Sequence, residues 1–466
     1  MQTMTLSEVA ADLRTLGLSG TASPSLPNGA RPPDEILDQW ARTASVGEPG
    51  PRQAAIWAIR EAARANGVFP ASIQGLYAAR GQGKWTGRTV PAMNLRGWTY
   101  QTCRAAFRAA QKLEADLLIF EQAPAEILYA NQRPAEYMAG VMAAALREGH
   151  RGPIFLQGDH VQINAKAYTE APEAEVRRLT DLIREQLGAC FYNIDVDAST
   201  LVDLALPTLV DQQRLNAEVT AQFTRLIRDL EPAGTTVSVG AEIGEVGAHN
   251  TTPEELRAFM ATYRPALERR GGGVGVSKVS VNSGTHHGGL VLPDGRLAQV
   301  NVAFDSLALV SQVARDEFGL SGAVQHGAST LPIEVFSRFP QADTVEIHLA
   351  LGFNNLIFDH PRLPDAVKAE IREYVATHHA GERRPDQTEA QFVYTTRKKA
   401  WAAMKQRFWD LPSATQDAIT ASLEDMFGQM FQHLNAGGTR ELVARFTRPV
   451  AIPAPLPPPL AAELKK

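Results

Sequence analysis

One segment indicates the fold of this chain and the position of its reactive groups: Pro153-Ile154-Phe155-Leu156-Gln157-Gly158-Asp159-His160. A short apolar run that begins at Pro and ends near Gly is typical of a buried parallel strand. An acid and a histidine at the end of such a strand are costly to bury unless they are paired, hydrogen-bonded or bound to metal. A single pair of this kind is more often structural. Here the same pattern recurs along the chain, and the recurrence predicts a shared site.

Strand-like and helix-like segments alternate between residues 86 and 362. The predicted strands are Val90–Asn94, Leu117–Gln122, Ile154–Asp159, Phe191–Asp197, Val237–Ile243, Val276–Asn282, Ala323–His326 and Val345–Leu349. Most intervals between them are long enough for a helix, as at Pro253–Arg269, which follows the capping residues Thr251 and Thr252. Eight β-then-α units joined by right-handed crossovers predict a closed (β/α)8 TIM barrel rather than an open sheet.

Helical extensions are predicted on both sides of the barrel. The expected organisation is an N-terminal helical extension and linker at 1–85, the catalytic barrel at 86–362, a C-terminal helical region at 363–448 and a Pro-rich tail at 449–466. Within these extensions the apolar periodicity predicts helices at 34–68, 363–378, 388–407 and 413–446. Their role is open at this stage, because long terminal helices can either wrap a barrel or form an oligomer interface.

Composition excludes several classes of protein. The chain has 466 residues and a hydrophobic fraction of 44%, which is enough for a substantial core. A formal net charge of -5 argues against nucleic acid as a partner. Only two cysteines, Cys103 and Cys190, are present, so a disulfide framework is not expected and a reducing cytoplasm fits best. No apolar run approaches the ~18 residues that span a bilayer, so we expect a soluble cytoplasmic protein without a membrane partner.

A carboxylate, amide or imidazole follows nearly every predicted strand. These strand-end residues are Asn94, Glu121, Gln122, Asp159, His160, Asp195, Asp197, Glu242, Glu245, Asn282, His286, His287, His326 and His348. A core strand has no packing reason to end in such a side chain. Because the C-terminal ends of barrel strands meet at one face, we predict a single active site there.

The histidines at three different strand ends, with carboxylates nearby, predict a divalent metal, with Zn²⁺ first by ligand type. None of them has a self-sufficient spacing such as H-E-x-x-H, so each one taken singly is more often structural. Three protein ligands and an open position would make the metal a Lewis acid for a carbonyl or enediolate oxygen. If His160 is a ligand, the neighbouring Asp159 is expected to diverge from it and to serve as a general base beside the substrate.

Five motifs resemble those of the class II, metal-dependent fructose-bisphosphate-type aldolases, in the same order and spacing. They are Val90-Pro-Ala-Met-Asn94, Gln157-Gly-Asp-His160, Ala241-Glu-Ile-Gly244, Gly284-Thr-His-His-Gly288 and Gln325-His-Gly-Ala-Ser329. The resemblance covers about residues 88–360. It implies a (β/α)8 barrel, a homodimer or homotetramer, and cleavage of a ketose into an enediolate and an aldehyde. Zn²⁺, or another divalent metal such as Co²⁺ or Mn²⁺, would assist this reaction of carbohydrate metabolism, as in glycolysis.

The resemblance also implies roles for individual residues. His160, His287 and His326 resemble the zinc ligands, with His286 as the alternative to His287, and Asp159 resembles the catalytic acid/base. Glu242 resembles the carboxylate that serves an alternative metal position. The candidate substrate-binding residues are Asn94, Asp195, Asn282, Ser329, Thr330, His348 and Arg397. Arg397 is included because a C-terminal basic segment can reach a substrate phosphate in these aldolases.

The sequence departs from the family pattern in three motifs, and the expected outcome is an intact metal-binding half and an altered phosphate-binding half of the site. Gln157 replaces the first histidine of the family's His-x-Asp-His, and His326-Gly-Ala-Ser-Thr330 replaces its Gly-rich phosphate turn. His348-Leu-Ala-Leu-Gly352 replaces the family's Asn-x-Asp-Thr-Asp. Gly-rich turns hold phosphate because nothing obstructs the approach of their backbone amides. Fructose 1,6-bisphosphate or a close relative is the expected substrate, with a weakened preference for the bisphosphate over monophosphorylated or unphosphorylated ketoses.

Three alternatives remain open from the sequence. A metal-dependent ketose epimerase on the same framework would relay a proton without releasing an aldehyde. A Schiff-base aldolase would use Lys278, the only good barrel lysine for that role. The chain could also be a non-catalytic aldolase-like subunit, related to the tagatose-bisphosphate aldolase partners that share a Gly-Asp-His strand end.

Overall fold

The computed structural model describes residues 2–19, 24–244, 249–284 and 302–466, with the backbone alone for Thr330. The strands in these residues are β1 Val68–Pro70, β2 Val90–Met93, β3 Ile119–Gln122, β4 Gly152–Gln162, β5 Asn193–Asp197, β6 Ser238–Glu242, β7 Lys278–Val281, β8 Ala323–Gln325 and β9 Glu346–Leu349. Seven of the eight predicted strands are shorter than expected, and β4 is longer.

The strands β2 to β9 form a closed parallel barrel. Each of them pairs in parallel with the next strand along the chain, and β9 returns to pair with β2. The closing register places Val90 opposite Glu346 and Ala92 opposite His348. The predicted (β/α)8 barrel is therefore confirmed, with helices around it and helical extensions at both ends.

Helices fill most of the connections between the barrel strands. The longer ones are Thr99–Leu113, Pro134–Arg147, Pro172–Gly188, Leu209–Leu230, Pro253–Arg269 and Phe304–Phe318. Shorter ones are Pro124–Tyr129, Ala165–Glu170 and Arg338–Gln341, and the helix Leu351–Asp359 follows the last strand, β9. The start of Pro253–Arg269 shows why the prediction succeeded there: the Thr252 hydroxyl accepts from the Glu255 backbone, and the Glu255 carboxylate accepts from the Thr252 backbone. Such a capping box satisfies two backbone donors that no helical partner reaches.

The N-terminal end of the barrel is closed by elements that the sequence did not reveal. β1 pairs with the first residues of β4, and the helix Gln74–Gly81 follows it. Tyr77 of this helix is fully buried and donates a hydrogen bond to the Glu346 carboxylate inside the barrel. A three-residue strand is too short to show a periodicity, which is why it escaped prediction.

The N-terminal extension is a layer of separate helices, Leu6–Thr15, Asp34–Val46 and Pro49–Ala65. The helical pattern predicted over 34–68 is interrupted because Asp34–Val46 ends at Gly47 and the next helix begins with Pro49. Proline at a first helical position needs no amide partner.

The C-terminal extension consists of the helices Asp365–His378, Glu389–Thr396, Trp401–Trp409, Ser413–His433, Arg440–Phe446 and Pro458–Leu464. The predicted helix 388–407 is divided by a tight turn of 3-10 helix at Arg397–Ala400, and the predicted helix 413–446 ends first at His433. The last helix lies on the first one, where the Ser7 hydroxyl donates to the Glu463 carboxylate at 2.8 Å.

Gly97 determines how the C-terminal extension approaches the barrel. This glycine, in the loop after β2, has φ +79, and a Cβ placed on it would lie 2.2 Å from Cδ2 of Trp401. Trp401 is fully buried, with its ring 4.7 Å from that of Phe408. The absence of a side chain at Gly97 therefore lets the indole pack on the loop backbone, and it brings the Arg397–Ala400 turn to the C-terminal mouth of the barrel.

No helix within the described ranges is long and apolar enough to cross a membrane.

Candidate active site

The side chains predicted at the strand ends converge at the C-terminal mouth of the barrel. A cavity of about 190 Å³ opens there, and His160 also lines a larger cleft of about 570 Å³ beside the start of the Pro172–Gly188 helix. The smaller cavity is lined by Asn94, Arg96, Glu121, Ala123, Glu126, Asp159, His160, His326, Gly327, Ser329, His348, Leu349, Ala350, Leu351 and Lys398. Catalytic groups of this fold lie at the same face.

Four side chains at the barrel mouth bring possible metal-ligand atoms close together. Asp159, His160, Glu242 and His326 each offer a ligand atom, and these atoms lie within 4.8 Å of one another. Nδ1 of His160 is 2.9 Å from a Glu242 oxygen, and Nε2 of His326 is 3.5 Å from the same oxygen. The imidazole rings of His160 and His326 have their centroids 4.3 Å apart.

An irregularity in β4 brings Asp159 and His160 into the same cluster. The register of β4 against β5 shifts between Gly158 and Val161, and His160 has φ +45 in the left-handed region. Such a backbone is rare for a residue other than glycine, and it re-aims the side chain. As a result Nε2 of His160 is 3.9 Å from an Asp159 oxygen. The expectation that these neighbouring side chains diverge was wrong, because it assumed a regular strand.

The donor set of this cluster suits a divalent cation. Burial lowers the pKa of His160, but the charges of Asp159 and Glu242 outweigh burial and place it well above its usual range. The same negative field that favours a proton on this imidazole would favour a metal ion bound to it. Two imidazoles with carboxylates form a ligand combination that Zn²⁺ and similar metals accept.

Asp197, at the end of β5, holds the His160 ring. One of its carboxylate oxygens is 3.2 Å from Nδ1 of His160 and accepts from the Gln162 amide at 2.6 Å, while the other accepts from the Ser199 hydroxyl at 2.7 Å. Burial raises the pKa of Asp197, but these hydrogen bonds and the charge of His160 lower it below the usual range. A carboxylate in this position fixes the orientation of a metal-ligating imidazole.

His348 connects Asp159 to a second group of carboxylates. Its Nδ1 lies 3.0 Å from an Asp159 oxygen and 3.1 Å from a Glu121 oxygen, and its Nε2 lies 2.7 Å from Glu346. Burial and the charge of Asp159 raise the pKa of Glu121 to about 7. The side chain of Glu121 thus faces the barrel interior, an orientation that the sequence left open.

Lys278 lies below this group as a buried cation. Its Nζ is 2.9 Å from an Asp195 oxygen and 2.9 Å from the Gln157 amide oxygen, and it contacts Glu346. Burial lowers the pKa of Lys278, but the charges of Asp195 and Glu346 raise it above its usual range. A Schiff base requires a neutral amine, so this pairing argues against the Schiff-base alternative.

The other predicted residues are distributed as follows. Asn94 and Ser329 line the cavity; the Asn94 amide donates to the Glu126 carboxylate, and the Ser329 hydroxyl accepts from the Ala350 backbone at 2.7 Å. Asp195 lies deeper, beside Lys278, and burial raises its pKa to about 6 although Lys278 opposes this. Asn282 donates to the His249 carbonyl at 3.0 Å and does not line the cavity.

Some predictions lie elsewhere or outside the structure. The Arg397 guanidinium donates to the Asp359 carboxylate at 2.7 Å and to the Asn355 amide oxygen at 2.8 Å, and it does not line the cavity. His286, His287 and the Thr330 side chain lie outside the described residues. The roles assigned to all these residues from sequence remain predictions.

Three cavity residues were missed in the sequence. Arg96 follows β2, Glu126 lies in the helix Pro124–Tyr129, and Lys398 lies in the Arg397–Ala400 turn. The available signal for Arg96 was its position two residues beyond the strand-end Asn94. Lys398 stands between Arg397 and Lys399, and nothing in that basic run distinguishes the three.

No protein-family model matches this chain, and no curated protein matches it. Similar solved structures include the fructuronate-tagaturonate epimerase UxaE from Cohnella laeviribosi, at 12% identity over 83% of this chain and 86% of that chain, with a TM-score of 0.54. A probable tagatose 6 phosphate kinase from Sinorhizobium meliloti is 17% identical over 81% of this chain and 97% of that chain, with a TM-score of 0.52.

A putative fructose-1,6-biphosphate aldolase from Coccidioides immitis is 16% identical over 79% of this chain and 97% of that chain, with a TM-score of 0.46. This last similarity is too low to carry an argument. At such identities the other two establish a shared fold and leave the activity to be argued from the site.

Proposed function

We propose that this chain is a metal-dependent lyase that cleaves or forms a carbon–carbon bond of a ketose or ketose phosphate. The observation that supports it best is the group of ligand-capable atoms from Asp159, His160, Glu242 and His326, which lie within 4.8 Å of one another at the barrel mouth. A carboxylate that can accept a proton beside a metal-binding position is the combination that enolate chemistry requires.

His160, Glu242 and His326 are the proposed ligands, with Zn²⁺ first and Co²⁺ or Mn²⁺ as alternatives. When bound, such a cation supplies Lewis-acid polarisation of a substrate carbonyl. His287 was also predicted as a ligand from sequence, and that role stays a prediction. The full donor set distinguishes this proposal from a non-catalytic subunit, which has no need of ligand-capable groups at the mouth.

Asp159 is the proposed general base. His348 lies 3.0 Å from its carboxylate and holds it at the cavity lining. In the cleavage direction Asp159 takes the proton of the substrate hydroxyl on the carbon beyond the bond that breaks. The O–H electrons form the aldehyde carbonyl, and the electrons of the broken carbon–carbon bond remain on the other fragment as an enediolate. In the reverse direction the protonated carboxyl returns the proton.

An epimerase is the second candidate, and Glu121 is the observation that favours it. Glu121 and Asp159 both contact Nδ1 of His348, and the pKa of Glu121 is raised to about 7 by burial and by the charge of Asp159. Two acid–base groups connected in this way can remove and return a proton inside one cavity. The similar structure from Cohnella laeviribosi is that of a fructuronate-tagaturonate epimerase, which is compatible with this candidate.

Metal binding is the first test. We expect His160→Ala, His326→Ala and Glu242→Gln each to weaken Zn²⁺ binding by more than about a hundredfold. Loss of a residue that only hydrogen-bonds to a metal ligand already weakens metal binding by about ten- to hundredfold. Metal content after dialysis and titration with a competing chelator measure it. His249→Ala is the matched control, since that imidazole pairs with Glu255 outside the cluster. Wild-type metal affinity in all three variants would exclude the ligand assignment.

A ketose screen with the metal-loaded protein separates the two activities. Release of an aldehyde identifies the lyase, and interconversion of two ketoses without aldehyde release identifies the epimerase. Fructose 1,6-bisphosphate, fructose 1-phosphate and free ketoses belong in the panel, because the weakened preference for the bisphosphate is still a prediction. A homodimer or homotetramer and a cytoplasmic location likewise remain predictions.

A further inference from the structure

A second set of charged residues lines the same cavity and takes no part in the chemistry proposed above. It consists of Arg96, Glu126 and Lys398, which we call the cationic lining. The part formed by Glu121, Asp159, His160, His326 and His348 is called the carboxylate–imidazole lining. The cationic lining joins the loop after β2 to the C-terminal extension, so the extension contributes a side chain to the cavity.

Arg96 is fixed in place and its charge is matched. Its guanidinium is buried, forms an ion pair with the Glu126 carboxylate, and lies 5.8 Å from the centre of the Tyr129 ring. Glu126 is itself held by the Asn94 amide and by the Ala123 backbone amide, which donates at 3.0 Å. Nε of Arg96 is buried and has no hydrogen-bond partner within the described part of the chain.

Lys398 differs from its neighbours in the basic run. Arg397 pairs with Asp359 and Lys399 pairs with Glu382, whereas no ion pair or hydrogen bond joins the Lys398 ammonium to any described residue. Its ammonium lies 5.9 Å from the centre of the Tyr129 ring. An ammonium that is partly removed from water without a partner is unfavourable, and an anionic ligand would compensate for the lost hydration.

The titration of Lys398 agrees with this geometry. Burial lowers the pKa of Lys398 to about 8, and the charges of Arg96 and Lys399 act in the same direction. The charged groups around it are therefore Arg96 and Lys399, with Glu126 on the Pro124–Tyr129 helix already engaged by Arg96. At pH 7 the Lys398 amine is therefore protonated in most molecules.

The charge balance limits the ligand to one anionic group on this side. Arg96 and Lys398 contribute two positive charges and Glu126 one negative charge, which leaves one net positive charge. On the other side of the cavity, Glu121 and Asp159 pair with His348, so the positive charge of that imidazole is already matched. A cavity of about 190 Å³ is also smaller than the ~300–1,000 Å³ of pockets for larger ligands.

We propose that the cavity takes a small hydroxylated carbonyl compound with a single anionic group, a carboxylate or a phosphate monoester, which Lys398 holds with the support of Arg96. This inference rests on the proposed function, because it names the substrate class of the same site. It also makes the C-terminal extension part of the substrate-binding site rather than a covering layer alone.

The test compares three probes of nearly equal size: glycerol, glycerate and glycerol 1-phosphate. Their binding to the metal-loaded full chain is measured by calorimetry at pH 7 for the wild type, Lys398→Met and Lys399→Met. We expect both anions to bind the wild type at least about tenfold more tightly than glycerol. Lys398→Met should lose about tenfold to hundredfold for the anions, the usual range for a hydrogen bond to a charged group. Lys399→Met should retain wild-type affinity.

The two anions separate the possible ligand classes. Tighter binding of glycerate identifies a sugar acid, and tighter binding of glycerol 1-phosphate identifies a sugar monophosphate. Unchanged anion affinity in Lys398→Met, or an equal loss in Lys399→Met, would overturn the proposal. If the wild type prefers the anions through Lys398 but turns over no ketose, the subsite stands and the proposed activity fails. If it turns over ketoses with kcat/KM independent of Lys398, the activity stands and the subsite fails.

Discussion

The two linings of the cavity differ in how they are built. The carboxylate–imidazole lining comes from the ends of barrel strands, and its charged groups contact one another, as Asp159 does with His348 at 3.0 Å. The cationic lining comes from a loop, a short helix and the C-terminal extension, and its Lys398 has no ion pair among the described residues. The carboxylate–imidazole lining is therefore a prearranged network suited to proton transfer and metal binding. The cationic lining offers a positive charge that suits an anionic ligand.

The largest expected effect concerns the general base. Asp159→Asn keeps the shape and the hydrogen-bonding reach of the side chain but cannot accept a proton. The turnover number for the substrate found in the ketose screen should fall by a factor of ~10²–10⁴. Metal content should stay at the wild-type level, because His160, Glu242 and His326 are unchanged. Turnover near that of the wild type would remove Asp159 from its proposed role.

The second prediction concerns the stability of the buried ion-pair network below the carboxylate–imidazole lining. Lys278→Met leaves Asp195 and Glu346 buried without their cation, and the free energy of unfolding should fall by about 3–5 kcal/mol. Denaturant titration followed by circular dichroism measures it. The loss should shrink at acidic pH, because carboxylates left without their cation take up protons.

The exposed ion pair of Lys112 with Glu424 provides the matched control for that variant. The Lys112 side chain is 72% exposed, and Lys112→Met should cost less than about 1 kcal/mol. Equal losses in Lys112→Met and Lys278→Met would mean that the buried network contributes no more than a surface pair.

The third prediction uses pH to separate the two linings. Burial lowers the pKa of Lys398 to about 8, so glycerate affinity should be constant near pH 7 and fall about tenfold per unit above pH 8. The direction follows because deprotonation removes the charge that holds the ligand. Glycerate is a suitable probe, since its own carboxylate stays ionised over this range.

Lys398→Arg sharpens this experiment. A guanidinium stays protonated throughout the range, so the affinity of this variant for glycerate should not show the tenfold fall per unit above pH 8. The same fall in affinity in Lys398→Arg as in the wild type would assign the titration to another group.

The smallest effect is expected at Arg397, which the sequence nominated as a phosphate binder. Its guanidinium is paired with Asp359, so Arg397→Met should leave glycerate affinity within about twofold of the wild type. Stability should fall by about 1 kcal/mol or less, as for other partly exposed ion pairs. Calorimetry and denaturant titration check the two effects, and a tenfold loss of glycerate affinity would restore the prediction made from sequence.

The residue pattern was sufficient to predict the barrel and several of the side chains at its mouth. Apolar runs bounded by breakers, with helix caps between them, specify strands and helices locally, and the closure of parallel strands then places their ends together. Asp159, His160, His326 and His348 were foreseeable for that reason, because each stands at the end of an apolar strand. Local patterns did not reveal β1, since three residues are too few for a periodicity.

Which charges are matched could not be predicted from the residue pattern, because it depends on packing. Lys278 forms ion pairs with Asp195 and Glu346, whereas Lys398 has no ion pair with any residue that the structure describes. Pairing and burial depend on residues that are distant in the chain, such as Arg96 beside Lys398 or Asp195 beside Lys278. Likewise, the left-handed φ of His160 arises from the irregular pairing of β4 with β5 and is invisible in the residue pattern. Side-chain type is a local property, whereas electrostatic environment is a property of packing.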